Sequence, residues 1–399
     1  MGTLAGGNTV GLALPILAAP ILGRLYAPAE YGALAQYMAF SAILAVAGTL
    51  QFQHAIIAEK SDRAARQIVW LCLAAATGTG LVALVLVALA WPLWLDKTAA
   101  GAWLWFLPLS VAAAGIAAGG SFLANRFGHY RRLAALPVLQ TTVTVALSVA
   151  LGFAAWGSAG LLTAYLAGQA VQAVAFGLYL SHSDIAATRP NSRRLAVLTR
   201  RHWKFPAFTL PTEFAGQVNL QIPVFFLTAI GADATLGAFA RARQLVSMPI
   251  TTLGGAVAQV FRRDAAEQYR QTGTCRPLMR KTAGTLFAVG FAPFAIILWQ
   301  GPLIFETYLG PNWREAGELA RILAPMLLLR LMVSPLATVL YFTGHQLLDF
   351  RLMIGSAVIL LLATSLGWAL GSGAGIVWAF AGGYCLIYIL YAAFSWAVA

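Results

Sequence analysis

Charge is what this 399-residue chain has least of: 10% of its residues are Asp, Glu, Lys or Arg, while 60% are hydrophobic. A soluble globular chain carries roughly 25% charged residues, so lipid must be the solvent for most of this surface. Acidic residues are scarcest, 13 against 26 Lys and Arg, for a formal charge of +13. The basic residues sit in short connections between apolar runs, with no aromatic-interleaved stripe elsewhere, which argues against nucleic acid. Cysteine is nearly absent: Cys72 and Cys385 fall inside apolar runs and Cys275 in a basic loop, without disulfide or metal spacing. No P-loop, zinc motif or nucleophile elbow occurs. All five histidines (His54, His129, His182, His202 and His345) lie in or beside connections, so none supplies a relay through a membrane. A membrane glycosyltransferase, ligase or polymerase would need acidic or histidine groups in a sizeable outer loop, and the longest candidate, Glu306–Gly317, is short. These absences argue against an enzyme and imply no cofactor.

What is present is a succession of apolar runs of about 20 residues, the length that spans a bilayer as a helix. They are Thr3–Leu25, Tyr31–Phe52, Ile68–Leu95, Ala102–Ala124, Leu133–Trp156 and Ala159–Leu180, then Pro206–Ile230, Ala234–Phe261, Thr282–Phe305, Glu318–Thr343, Phe350–Leu370 and Gly375–Val398. Lipid-facing backbone must satisfy its own hydrogen bonds, and no barrel-like alternation appears, so the runs are helices. The expected fold class is an all-α integral membrane protein of about 12 transmembrane helices. The first run starts almost at Met1 without a basic leader and reads as a span rather than a cleaved signal.

Basic residues set the orientation. Even-numbered connections hold Lys60, Arg63 and Arg66, then Arg126, Arg131 and Arg132, then Arg189, Arg193, Arg194, Arg200, Arg201 and Lys204, then Arg262, Arg263, Arg270, Arg276, Arg280 and Lys281, and finally Arg351. Odd ones hold only Arg24, Lys97 and Arg314. The even side, and with it both termini, is expected in the cytoplasm.

The longest connection divides the chain into a first six-helix lobe (1–182), a cytoplasmic linker (183–205) and a second six-helix lobe (206–399). Leu25–Ala35 aligns with Ile230–Ala240 at a constant offset of 205, which implies a parallel repeat with a pseudo-twofold axis along the membrane normal. The first run of each half is rich in proline: Pro15 and Pro20, then Pro206, Pro211 and Pro223. Interrupted helices at matching positions point to a transport site, or equally to a packing kink.

Ionisable groups at depth cost about 2.5–3.5 kcal/mol each on insertion scales and need a reason. The clearest are Glu213, Arg241, Arg243 and Arg330, all in the second half; the first half offers neutral groups such as Asn8, Gln36 and Gln140. Positions 241 and 243 differ by about 200° around a helix, whereas Gln244 shares the face of Arg241. The repeat sets Gln36 opposite Arg241, which favours Arg241 over Arg243 as the ligand-facing residue. Guanidinium forks match phosphate oxygens, so an arginine excess in a membrane cavity suits an anion. The competing reading is structural: an Arg–Glu213 pair, or arginines locked onto carbonyls. Glu213 is the candidate for coupling or charge balance.

Several segments resemble one family. Arg24-Leu-Tyr-Ala-Pro-Ala-Glu-Tyr-Gly32, Ala124-Asn-Arg-Phe-Gly-His-Tyr130, Phe205-Pro-Ala-Phe-Thr-Leu-Pro211, Gln259-Val-Phe-Arg-Arg-Asp-Ala-Ala-Glu-Gln-Tyr269 and Trp313 to Pro325 occur in the order seen in polysaccharide biosynthesis (Wzx-type) flippases of the multidrug/oligosaccharidyl-lipid/polysaccharide exporter superfamily. The resemblance implies two six-helix lobes around a cationic cavity. It also implies translocation of an undecaprenyl-pyrophosphate-linked oligosaccharide to the outer leaflet, for O-antigen, capsule or exopolysaccharide. The expected binding residues are Arg241, Arg243, Arg330, Gln36 and Gln244. The rival is a cation-coupled multidrug exporter of the same superfamily, whose cationic cargo would favour carboxylates. The energy comes from an ion gradient (H+ or Na+), the membrane potential or substrate supply.

Overall fold

The computed structural model describes the backbone of residues 2–93, 95–183, 185, 188 and 190–399, and most side chains among them. The side chain of Asn8, and Arg189, lie outside the described residues. The helices are α1 (Gly2–Leu25), α2 (Pro28–Ala47), α3 (Gln53–Ala58), α4 (Asp62–Ala90), α5 (Leu107–Arg126), α6 (Tyr130–Phe153), α7 (Gly157–Ser181), α8 (Ser192–Arg201), α9 (Leu210–Ala229), α10 (Asp233–Thr272), α11 (Arg276–Leu309), α12 (Arg314–Leu336), α13 (Val339–Phe342), α14 (Gln346–Ala369) and α15 (Gly373–Val398). Among the described residues, the twelve long helices follow the twelve apolar runs. Eight stretches of the described residues, ending with Gly373–Val398, are long and apolar enough to cross a membrane. The remaining long helices, α1, α2, α9 and α10, open the two halves. The chain is a multi-pass membrane protein.

Sequence chemistry places the helix ends. Pro28 starts α2, and the Glu30 carboxylate accepts the Ala27 N–H at 2.7 Å. Asn191 and Ser372 cap α8 and α15 with their side-chain oxygens, at 2.9 and 3.0 Å. Gly273, with φ +73°, ends α10 in the left-handed region that a side chain would disfavour.

The chain forms two compact units, Met1–Val218 and Asn219–Ala399. The division falls inside α9. In the first unit α4 packs on α5, α6 on α7, and α5 on α7. In the second unit α11 packs on α12, α14 on α15, and α12 on α15, so the order of packing repeats. The first helices keep the same partner: α1 lies along α6, and Asn219 of α9 donates a hydrogen bond to Ser356 of α14, the counterpart of α6. Each unit closes on its own apolar core. Phe52, Ile68, Cys72, Leu123, Phe176 and Leu198 form one layer of the first, and Phe261, Met279, Leu336 and Val339 one layer of the second.

The helix of the second run ends at Ala47, short of the run's end at Phe52. The run breaks between α2 and α3, where Leu50 and Gln51 take φ values of +49° and +61°. The buried Gln51 side chain donates to the Val46 carbonyl at 2.8 Å and accepts from Gln53 at 2.8 Å, so the polar turn carries its own partners. Arg126, at the end of α5, then gathers the free carbonyls of α3. It reaches Ile56 at 2.7 Å and Glu59 at 2.6 Å, and grips the Asp62 carboxylate at 2.8 and 3.0 Å. Replacing Arg126 with Ala should cost about 2 kcal/mol, because several charge-assisted hydrogen bonds vanish together. A lowered apparent Tm of the purified protein in detergent checks this.

The linker carries a helix of its own. Its helix α8 buries Leu198 against the first unit's core, and Arg201 and His202 meet Glu59 at 3.3 and 3.1 Å. Burial works to raise the Glu59 carboxyl. The His202 hydrogen bond, the Lys60 N–H and the Arg201 charge outweigh it and hold the group below the ordinary carboxylate range. A depressed folded value stabilises docking above the unfolded value of about 4.3 and loses that contribution as pH falls through the folded value. Hydrogen exchange across α8 should therefore quicken below about pH 4 in the wild type. In Glu59→Gln it should be fast at neutral pH and insensitive to further acid.

Candidate functional site

The arginines at depth in the second unit stand on α10 and α12. Arg241 and Gln244, one helical turn apart, share a face as expected: the Arg241 Nη1 donates to Gln244 Oε1 at 3.0 Å. Arg241 is buried, and Gln244 is exposed. Arg243 points elsewhere. Its Nη1 donates to the Leu220 carbonyl at 2.6 Å, its Nη2 to Gln221 Oε1 at 3.3 Å, and its guanidinium lies 5.1 Å from the centre of the Phe239 ring. The hydrogen bonds tie α10 to α9 and satisfy part of a charge that would otherwise be costly at this depth.

Arg330 stands on α12, which begins at Arg314 rather than at Glu318. At 1.5 Å per residue it lies roughly 24 Å along that helix, deeper than the apolar run suggests. It is half-buried, and among the described residues it makes no hydrogen bond or ion pair. Its charge acts on Arg243, Tyr384 and Tyr388, and no carboxylate figures among the groups those residues feel. Two guanidiniums and two phenols of one unit thus share a neighbourhood.

An aromatic series runs through the same place. Phe239, under Arg243, meets Phe380 edge-on at 5.9 Å; Phe380 meets Tyr384 at 4.8 Å; and Tyr384 stacks on Tyr388 at 5.7 Å and 28°. Tyr384 is buried and Tyr388 half-buried, so the series opens toward the end shared with Arg330. The sequence reading passed over these tyrosines. Their spacing in the last apolar run, Tyr384 and Tyr388 one turn apart with Tyr391 following, was the available signal.

The other candidates lie apart from this group. Gln36 is in the first unit, 1% exposed, with its Oε1 accepting the Ala100 N–H at 3.0 Å. There it holds the 3₁₀ turns of residues 95–106 to α2. Glu213 is exposed on the first turn of α9, on the first unit's side of the division, and makes no ion pair among the described residues. Among the described residues no group of His, Cys, Asp and Glu could hold a metal ion. The chemistry on offer is binding of an anion that also presents a surface for aromatic stacking.

The sequence pattern of the polysaccharide biosynthesis protein family matches residues 21–318. The chain belongs to that family. The resemblance carried by the turn at Arg24–Gly32 and the segments after it is thereby confirmed. No protein with a curated description matches the sequence. Among solved structures, an inward-closed lipid II flippase MurJ superposes with a TM-score of 0.77 at 11% identity, covering 99% of this chain and 87% of that one. An inward-facing multidrug resistance MATE transporter of the MOP superfamily gives 0.68 at 17% identity, covering 97% and 95%. A MOP superfamily transporter from Pyrococcus furiosus, described by the reverse polarity of its binding pocket, gives 0.63 at 16% identity, covering 98% and 94%. This member of the polysaccharide biosynthesis family therefore has the two-lobe, twelve-helix fold of MOP superfamily transporters.

Proposed function

We propose that this protein is a flippase. It moves an undecaprenyl-pyrophosphate-linked oligosaccharide from the cytoplasmic to the outer leaflet of the inner membrane, supplying surface polysaccharide synthesis, with both termini in the cytoplasm. The observation that carries the reading is Arg330. A guanidinium deep in a membrane helix, without a carboxylate partner among the described residues and beside a second arginine, needs an anionic ligand. Arg330 is assigned the pyrophosphate oxygens, and Arg243 adds positive field while anchoring α9. Tyr388 and Tyr384 offer ring faces and hydroxyls to the first sugars. Arg241, held to Gln244 in the interior of the unit, orients α10.

Family membership supports the polysaccharide part of this reading. Among the described residues no carboxylate pairs with Arg330, which argues against a cationic cargo. The test is reconstitution of the full chain in proteoliposomes containing a fluorescent polyprenyl-pyrophosphate oligosaccharide. Transfer of the label to the opposite leaflet, without transfer of the polyprenyl monophosphate form, is expected. Efflux of cationic dyes with no movement of the pyrophosphate lipid would instead make the protein a drug exporter.

A further inference from the structure

A cationic cavity in the first unit, far along the chain from Arg330, is not used by this function. Its volume is about 430 Å³, and it is lined by Arg66, Phe127, His129, Arg132, Tyr179, His182 and Ser183. α4 and α6 contribute their first turns, α5 its trailing loop, and α7 its last turn, so four helix ends meet around it. These are the ends joined by the arginine-rich connections.

Its side chains are prepared for a ligand. The Arg66 guanidinium lies 5.0 Å from the centre of the Phe127 ring, and that of Arg132 lies 4.9 Å from the centre of the Tyr179 ring. Stacking fixes the planes of these groups and occupies none of their N–H donors. The Arg66 Nε is buried and has no hydrogen-bond partner among the described residues. Tyr179 lies in the field of both arginines, and its hydroxyl is 2.9 Å from His129 Nδ1, which holds that imidazole at the rim. Among the described residues no carboxylate lines the cavity. The nearby acids are engaged elsewhere, Asp62 by Arg126 and Glu59 by His202 and Arg201. A neutral ligand would leave the converging donors unfilled. A compact anion with several oxygens fills them, and at the level of helix ends the abundant anion of that kind is phosphate.

We propose that this cavity is a phosphate-binding site, taking the phosphate of a lipid headgroup or of a soluble phosphorylated molecule between Arg66 and Arg132. The experiment uses the purified full chain in detergent, with retained ligand counted by native mass spectrometry. The probes are phosphatidylglycerol, phosphatidylcholine and inorganic pyrophosphate. Phosphatidylglycerol retained over phosphatidylcholine identifies a headgroup site; pyrophosphate retained without phosphatidylglycerol identifies a soluble ligand; both uphold a phosphate site.

Arg132 is exposed, so Arg132→Gln leaves the core intact and should weaken retention about tenfold, the scale of losing a charge-assisted hydrogen bond. Arg66→Gln, checked for an unchanged circular dichroism spectrum, should do the same. Arg63→Gln removes an exposed charge on the same helix outside the cavity and should change retention little. Retention of none of the probes overturns the proposal. So does retention unaffected by Arg132→Gln, or reduced equally by Arg63→Gln, since both would make binding a property of the general surface charge.

Discussion

Arg330→Ala is expected to stop delivery of surface polysaccharide while the protein still accumulates in the membrane. The lost interaction is a charge-assisted contact to pyrophosphate, about 1.5–3 kcal/mol, which corresponds to a fall of roughly ten- to a hundredfold in transport rate. Arg330→Lys keeps the charge but loses the planar fork, and should recover only part of the activity. The unliganded protein gives a second readout. Arg330 makes no hydrogen bond or ion pair among the described residues, so removing it relieves a desolvated charge, and the Tm in detergent should hold or rise. A purely structural arginine would behave in the opposite way, losing stability together with transport. Arg243→Ala separates the two cases. Its bonds to Leu220 and Gln221 tie α9 to α10, so it should lower both Tm and transport.

Gly317→Ala is expected to be among the most damaging single-methyl additions to the second unit. α11 and α12 approach each other at Gly301 and Gly317. A methyl group on Gly317 would lie 2.5 Å from the Pro302 Cα and against the Gly301 carbonyl, and one on Gly301 would lie 2.8 Å from the Gly317 carbonyl. Those obstacles are backbone, which cannot turn aside as a side chain can. The helices must separate, which costs about 1–3 kcal/mol or more in overpacking, with loss of close helix contact in lipid. Gly382→Ala, where an added methyl group meets open space, should be close to neutral. Comparison of the two Tm values and of membrane yield tests the difference. Because α12 carries Arg330, Gly317→Ala should also lose transport at temperatures where the protein remains folded.

The sequence made the architecture legible because a bilayer imposes a single length scale. Apolar runs of about 20 residues and the alternation of basic connections located every long helix among the described residues. The offset of 205 that aligns Leu25–Ala35 with Ile230–Ala240 also relates the starts of α2 at Pro28 and α10 at Asp233. What escaped was local. Hydropathy averages over a window, so it passed smoothly through the break after Ala47, where the conformation is decided by the side-chain hydrogen bonds of Gln51 and Gln53. It also passed over α8, whose apolar face amounts to a few residues such as Leu195 and Leu198 among arginines.

The site was half legible. The energetic cost of charge in lipid singled out Arg241, Arg243 and Arg330, and helix geometry paired Arg241 with Gln244. Which arginine meets Arg330 depends on how α10 is rotated against α12 and α15. A helix apolar nearly all round carries no phase from which to read that rotation. Tyr384 and Tyr388 escaped for a different reason. Tyrosine is common at membrane interfaces, and only their adjacency to Arg243 and Arg330 distinguishes them from an ordinary aromatic anchor.

The central claim is that Arg330 holds the pyrophosphate of a lipid-linked sugar. Native mass spectrometry of the detergent-purified chain, equilibrated with polyprenyl-pyrophosphate oligosaccharide and with the matching polyprenyl monophosphate, tests it most directly. Wild type is expected to retain the pyrophosphate form preferentially, and Arg330→Ala to lose that preference while remaining folded. Equal retention of the two lipids by wild type, or an undiminished preference in Arg330→Ala, would contradict it.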